Sequence, residues 1–178
     1  MLRPVLLLVA LALSLSAVAC GDDDEGGAEG KGASTEQSTA TEAAAAEEAL
    51  KDTATKPEIP KPTGSPPRKL VKRDIVKGTG PGAKPGDTVV VHYVGMNFSN
   101  GFEFDASWDA AQPFPVQIGV TQVIEGWTRG LVGIRQGGRR MLTIPPELGY
   151  GSQGYPPDIP PNETLVFVVD ALSVESGG

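Results

Sequence analysis

Thr121-Gln122-Val123-Ile124-Glu125-Gly126-Trp127-Thr128-Arg129-Gly130-Leu131 is the stretch on which the fold turns. It predicts one short helix over about residues 123–131, with Thr121 as a candidate cap. Gly130 and the break Gln136-Gly137-Gly138 limit it. Outside it, from Arg68 on, strand signals dominate. The segments at residues 70–76, 87–94, 102–105, 114–118, 139–144 and 164–172 are β-branched, aromatic or alternating. Gly78-Thr79-Gly80-Pro81-Gly82 and Lys84-Pro85-Gly86 read as turns. Strands without βαβ alternation plus one helix give an α+β fold, an antiparallel sheet whose apolar face packs on a helix.

The Trp inside that helix is unusual. Trp127 lies between Gly126 and Gly130 on a short apolar segment. A buried indole N–H needs a partner, and the glycines leave one face of the ring uncovered by their own side chains. Tyr150 and Phe167 follow downstream; Tyr93, Phe104 and Phe114 lie upstream. These rings either fill a core or line an apolar pocket that orients its ligand through few polar groups. Asp105, the tyrosine hydroxyls and backbone N–H groups are the polar candidates.

Other chemistries find little support. The single His, His92, sits mid-strand with no Cys or second His near, and reads as structural. Gly149-Tyr150-Gly151-Ser152-Gln153-Gly154 lacks the lysine and following helix of a phosphate loop. Ser, His and Asp occur without a nucleophile elbow. No metal set or cofactor motif is visible. The domain also lacks a basic stripe with interleaved aromatics, which argues against nucleic acid as a partner.

The N-terminus carries a separate message. Arg3 precedes an apolar run, residues 5–19, shorter than the roughly 20 residues a spanning helix needs. Residues 1–19 read as an export signal. They end at Ala17-Val18-Ala19-Cys20-Gly21, which resembles a bacterial lipobox; cleavage of an ordinary signal after Ala19 is the alternative. Cys20 is the sole Cys, so no internal disulfide can form, and lipidation would remove an exposed thiol. Two buried acyl chains already give stable anchoring. The reading places the protein outside the cytoplasm, lipid-anchored to the outer face of the bacterial cell membrane. Residues 20–67 predict an acidic, Pro-rich, disordered tether, with almost no large apolar side chain. They hold most of the acidity: residues 21–67 carry 4 Lys+Arg against 11 Asp+Glu, and residues 68–178 carry 10 against 11. Residues 68–178 form the folded domain, a normal single-domain size.

The domain resembles the FK506-binding-protein family of peptidyl-prolyl cis-trans isomerases. The likeness rests on Val90-Val91-His92-Tyr93-Val94-Gly95, Phe104-Asp105-Ala106-Ser107, Pro113-Phe114, Val123-Ile124-Glu125-Gly126-Trp127, Ile144-Pro145-Pro146, Leu148-Gly149-Tyr150-Gly151, Ile159-Pro160-Pro161-Asn162 and Thr164-Leu165-Val166-Phe167-Val168-Val169. They stand in the family's order from about Leu70 to Val174. The resemblance implies a curved antiparallel sheet wrapped around one short helix. It also implies a cofactor-free enzyme that rotates X–Pro bonds in exported polypeptides.

It further implies roles. Trp127 is the floor under the proline ring. Tyr93, Phe104, Phe114, Val123, Ile124, Ile159 and Phe167 form walls. The Tyr150 hydroxyl and the Ile124 N–H hold carbonyls, Asp105 partners Tyr93 or ligand, and Tyr155 sits in an overhanging loop. Three departures stand out. Ala110 occupies a position where well-known members carry Arg, Tyr155 replaces a common His, and Gln122 stands where Glu is frequent. Activity is expected to survive them, and a macrolide of the FK506 or rapamycin kind is expected to bind with reduced affinity. A module that grips Pro-containing segments without catalysis is the competing class.

Overall fold

The computed structural model describes residues 45–177; the signal at residues 1–19 and Cys20 lie outside the described residues. Six strands follow the predicted segments: β1 (Val71–Val76), β2 (Thr88–Asn97), β3 (Glu103–Ala106), β4 (Phe114–Gln117), β5 (Arg139–Ile144) and β6 (Leu165–Glu175). They form one antiparallel sheet in the order β1-β5-β6-β2-β3, with β4 also paired to β2. The pocket helix, Glu125–Gly130, packs on one face. Against it lie Val89, Val91, Leu142, Ile144, Phe167 and Val169, all buried. The α+β expectation holds.

The helix is shorter than predicted, and Thr121 does not cap it. The Thr121 hydroxyl instead accepts from the Gln117 N–H (2.9 Å), closing the turn after β4, and the N-cap position is Ile124. Without a side-chain cap, this six-residue helix depends on packing for its stability. Its glycines explain how closely it packs. A Cβ on Gly126 would lie 2.4 Å from Ile144 Cγ2, and one on Gly130 would lie 2.6 Å from Leu142 Cδ1. The two glycines, four residues apart on one face, thus let the helix backbone press onto the sheet. The Arg140 guanidinium secures the other end: it donates to Gly130 O (2.8 Å) and Val132 O (3.0 Å), and pairs with Asp74. A cation on the last carbonyls also suits the helix dipole.

The expectation of a disordered tether through residue 67 fails from residue 45 onward. Residues 45–49 are helical, and the chain then crosses the sheet face opposite the pocket helix. Leu50 is 1% exposed. Arg139, 0% exposed, donates to Leu50 O (3.0 Å), Asp52 O (2.8 Å) and Thr55 O (2.9 Å). Its remaining donors go to Asp170, at 2.5 and 2.9 Å. All five guanidinium N–H groups are therefore used. The segment orders because a buried Arg needs acceptors and because Val94, Met96, Val166 and Val168 give it an apolar bed. Among the described residues, no helix is long and apolar enough to cross a membrane.

Candidate functional site

A cavity of about 150 Å³ opens between the sheet, the pocket helix and the loops around it. Its lining is Tyr93, Phe104, Asp105, Phe114, Gln122, Val123, Ile124, Trp127, Tyr150 and Phe167. Trp127, from the first turn of the helix and 4% exposed, is the buried base. Three rings meet it edge-on: Tyr93 (centroids 5.1 Å apart, 87°), Phe167 (5.3 Å, 87°) and Phe114 (6.4 Å, 69°). Phe104 in turn stands on Phe167 at 5.5 Å and 81°. Edge-to-face contacts of this kind add stability beyond the area they bury, so the base is rigid. The Trp127 indole N–H finds no hydrogen-bond partner among the described residues, contrary to the expectation from sequence.

Two backbone features aim these side chains. In β3 the register with β2 slips between Gly95↔Asp105 and Met96↔Glu103, which leaves Phe104 as an extra residue. A bulge breaks the strict alternation of faces. Phe104 and Asp105, neighbours in sequence, therefore both reach the cavity. Across from them, Gly95 leaves the space that the Phe104 and Phe167 rings need. A Cβ there would lie 2.7 Å from Phe167 and 2.8 Å from Phe104.

Polar groups are few. The Tyr93 hydroxyl donates to Asp105 Oδ2 at 2.6 Å. Burial first, then that hydrogen bond to the carboxylate, pushes the Tyr93 hydroxyl well above the usual tyrosine range. The Tyr150 hydroxyl is also pushed up, mainly by burial and then by the Asp105 charge. Both hydroxyls stay protonated at neutral pH and serve as donors. The Ile124 N–H has no backbone acceptor among the described residues. No group of three or more metal-ligating side chains exists among the described residues.

Nine of the sequence-predicted site residues are brought together here. Ile159 and Tyr155 are not. Ile159 is 3% exposed in the main core, pinned by a reciprocal backbone pair with Tyr155 (2.8 and 2.9 Å). Tyr155 is 62% exposed and leans on Tyr150 (5.5 Å, 41°), one residue shell outside the cavity. Gln122 does line the cavity, although the sequence marked it only as a departure. Its place at the entry to the pocket helix was the available signal. His92 is structural, as expected. It stacks on Trp108 (4.4 Å, 24°), and its Nδ1 lies 2.9 Å from Ser107 Oγ.

Residues 80–172 match the family model described as FKBP-type peptidyl-prolyl cis-trans isomerase. The chain is 51% identical over 120 residues to an FK506-binding protein of Streptomyces anulatus, covering 67% of this chain and 97% of that one. It is 47% identical over 118 residues to a probable FK506-binding protein of Corynebacterium glutamicum, covering 66% and 98%. Among solved structures, FkpA from Escherichia coli is similar at 38% identity and TM-score 0.56, over 80% of this chain and 63% of that chain. AtFKBP13 is similar at 37% identity and TM-score 0.54, over 58% and 91%.

Proposed function

This chain belongs to the FKBP-type peptidyl-prolyl cis-trans isomerase family, and we propose that it rotates X–Pro bonds of exported polypeptides by desolvating them in the Trp127 cavity. The observation that carries this reading is the edge-on ring of Tyr93, Phe114 and Phe167 around a buried Trp127, open on one side.

Rotation about X–Pro needs no acid, base or nucleophile. The barrier is C–N double-bond character, about 18–20 kcal/mol, and the uncatalysed event takes tens to hundreds of seconds. Twisting removes amide resonance, so the carbonyl loses dipole and the nitrogen pyramidalises. An apolar cavity holds the twisted, less polar amide better than the planar one. That is differential binding of the transition state. In this scheme Trp127 carries the proline ring. Tyr150 O–H and Ile124 N–H hold flanking carbonyls. Asp105 fixes the Tyr93 ring through its hydroxyl, and the apolar walls favour an apolar residue before Pro. A macrolide of the FK506 kind enters the same cavity, more weakly where Ala110 and Tyr155 replace a cationic contact and a rim contact.

We further place the protein at the outer face of the cell membrane, held by lipid on Cys20. The test uses the mature chain and short peptides with Leu or Phe before Pro, in a protease-free cis/trans assay. Fatty-acid labelling of wild type and Cys20→Ser runs beside it. Acceleration over buffer and Cys20-dependent label are expected. A folded sample that binds the peptide without accelerating it leaves only a Pro-segment binding module. An unlabelled protein with a free Cys20 means an ordinary export signal.

A further inference from the structure

The segment that reads as tether reaches the loop between two strands that carry cavity walls. From the Arg139 clamp at residues 50–55 it runs to Lys56, whose Nζ donates to Glu103 Oε1 and Asp109 Oδ1, both at 2.7 Å. Next to it Pro57 is buried, and further along Lys61 lies over Gly101 in the β2–β3 turn, where a Cβ would meet its side chain at 3.1 Å. Glu103 opens β3, and Asp109 sits in the loop between β3 and β4. That loop joins two cavity walls, Asp105 and Phe114.

We propose that Lys56 is a positioning residue of the isomerase site, held in place by the Arg139 clamp, and that it fixes the β3–β4 loop that links the strands carrying Asp105 and Phe114. The proposal rests on the isomerase reading above. Three observations support it. Beyond Ser107 and Trp108, which tie its start to β2, the loop is otherwise closed by local bonds, Asp109 N–H to Ala106 O, Ala111 N–H to Trp108 O and Gln112 N–H to Ser107 O. It also contains Ala111 at φ 49, a left-handed conformation that a non-Gly residue keeps only when its surroundings enforce it. Finally, both carboxylates hold the Lys56 ammonium, so its pKa is raised, with the Asp109 hydrogen bond the larger cause. Without the cation, Glu103 and Asp109 are left as like charges on either side of an empty position, and the loop has reason to swing outward.

The reach of Lys56 is set from behind. Arg139 is fully buried, and its donors are saturated by the carbonyls at 50, 52 and 55 and by Asp170. The strap backbone therefore has one position along β5 and β6, and Lys56 follows directly from its last clamped carbonyl.

The experiment measures kcat and KM on an X–Pro peptide for the mature wild type, Lys56→Met, Lys56→Arg and Asp109→Asn, from 20 mM to 1 M NaCl. Lys56→Met should raise KM about two- to tenfold at low salt with kcat nearly unchanged, the size two partly exposed ion pairs allow. Lys56→Arg should restore KM. Wild type should drift toward the Lys56→Met value as salt rises, because screening weakens exposed pairs, while Lys56→Met stays flat. If Lys56→Met does not fold, Asp109→Asn, which keeps the Glu103 pair, decides the same question by its KM and salt slope. Equal KM in wild type and these variants, or parallel salt curves, overturns the proposal. An inactive wild type overturns the isomerase reading instead.

Discussion

Replacing Gly126 by Ala tests whether the close seat of the helix sets the cavity floor. The new Cβ would lie 2.4 Å from Ile144 Cγ2, 2.7 Å from Cδ1 and 2.9 Å from Cγ1. Carbon atoms rest at about 3.5–4.0 Å, so the helix must retreat by about 1 Å or Ile144 must move. Ile144 is fully buried in a strand and stiff at χ1, so the helix is the part that yields. Overpacking costs about 1–3 kcal/mol. Ala gains up to about 1 kcal/mol over Gly in helix propensity. The net is a loss of about 1 kcal/mol, a Tm lower by roughly 4 °C. The effect on catalysis is larger, because Trp127 is the next residue. A 1 Å misplacement of such a group can cost about 100-fold, and a fall in kcat/KM of about tenfold or more is expected. Thermal melts and the peptide assay read the two effects separately. A cycle with Ile144→Ala, which removes all three clashing carbons, should recover about 1–3 kcal/mol of coupling. A Gly126→Ala protein more stable than wild type with unchanged kcat/KM, or strictly additive effects in the cycle, would refute the reasoning.

Trp127→Leu should lower kcat/KM more than Asp105→Ala, with Tyr150→Phe between them at about tenfold, the worth of one hydrogen bond. Melts must first show each variant folded, since truncating a buried Trp to Ala costs about 3–5 kcal/mol where it packs. If Asp105→Ala abolishes activity while Trp127→Leu leaves it intact, the carboxylate does chemistry and desolvation is the wrong mechanism. The pH dependence follows from the tyrosines. Both hydroxyls have raised pKa values in the folded state, so their protonated forms persist and kcat/KM should be flat from about pH 6 to 9, below the ordinary tyrosine value of about 10. The associated stability is present below that value and lost as pH rises through the folded one. Alkaline melting above about pH 10 should therefore be less steep in Tyr93→Phe, and an equal slope contradicts the assignment.

The strands were legible because their β-branched and aromatic runs sit between Gly and Pro turns, and the base of the cavity because Trp127 is so unusual between glycines. What escaped was set by distant contacts. The bulge that turns both Phe104 and Asp105 to the cavity depends on pairing with Gly95 and Met96, which no local pattern reports. Ile159 belongs to the same motif as the walls, yet its backbone pair with Tyr155 draws it into the core. The docked segment was missed because only Leu50 and Ile59 there are large and apolar. A signal existed elsewhere: Leu165-Val166-Phe167-Val168-Val169 is apolar at every position. A strand wet on one face alternates, whereas an unbroken apolar run implies cover on both. The run announced a second cover without saying which part of the chain supplies it.

Arg139 and Arg140 show how that cover and the cavity are joined. In the sequence they are two charges among ten basic residues of the domain. Adjacent strand residues face opposite sides of a sheet, and here each guanidinium is buried on its own side. Arg140 takes Gly130 O, Val132 O and Asp74, fixing the helix that carries Trp127. Arg139 takes Asp170 and the carbonyls of Leu50, Asp52 and Thr55, fixing the segment that carries Lys56. Removing one partner of a buried, saturated charge typically costs several kcal/mol, so neither layer can shift without opposition from β5. One strand thereby sets the base of the cavity from one face and the loop between two of its walls from the other. The working unit is a three-layer arrangement of segment, sheet and helix that begins by residue 50, upstream of the turn and strand patterns that mark a domain start near residue 68.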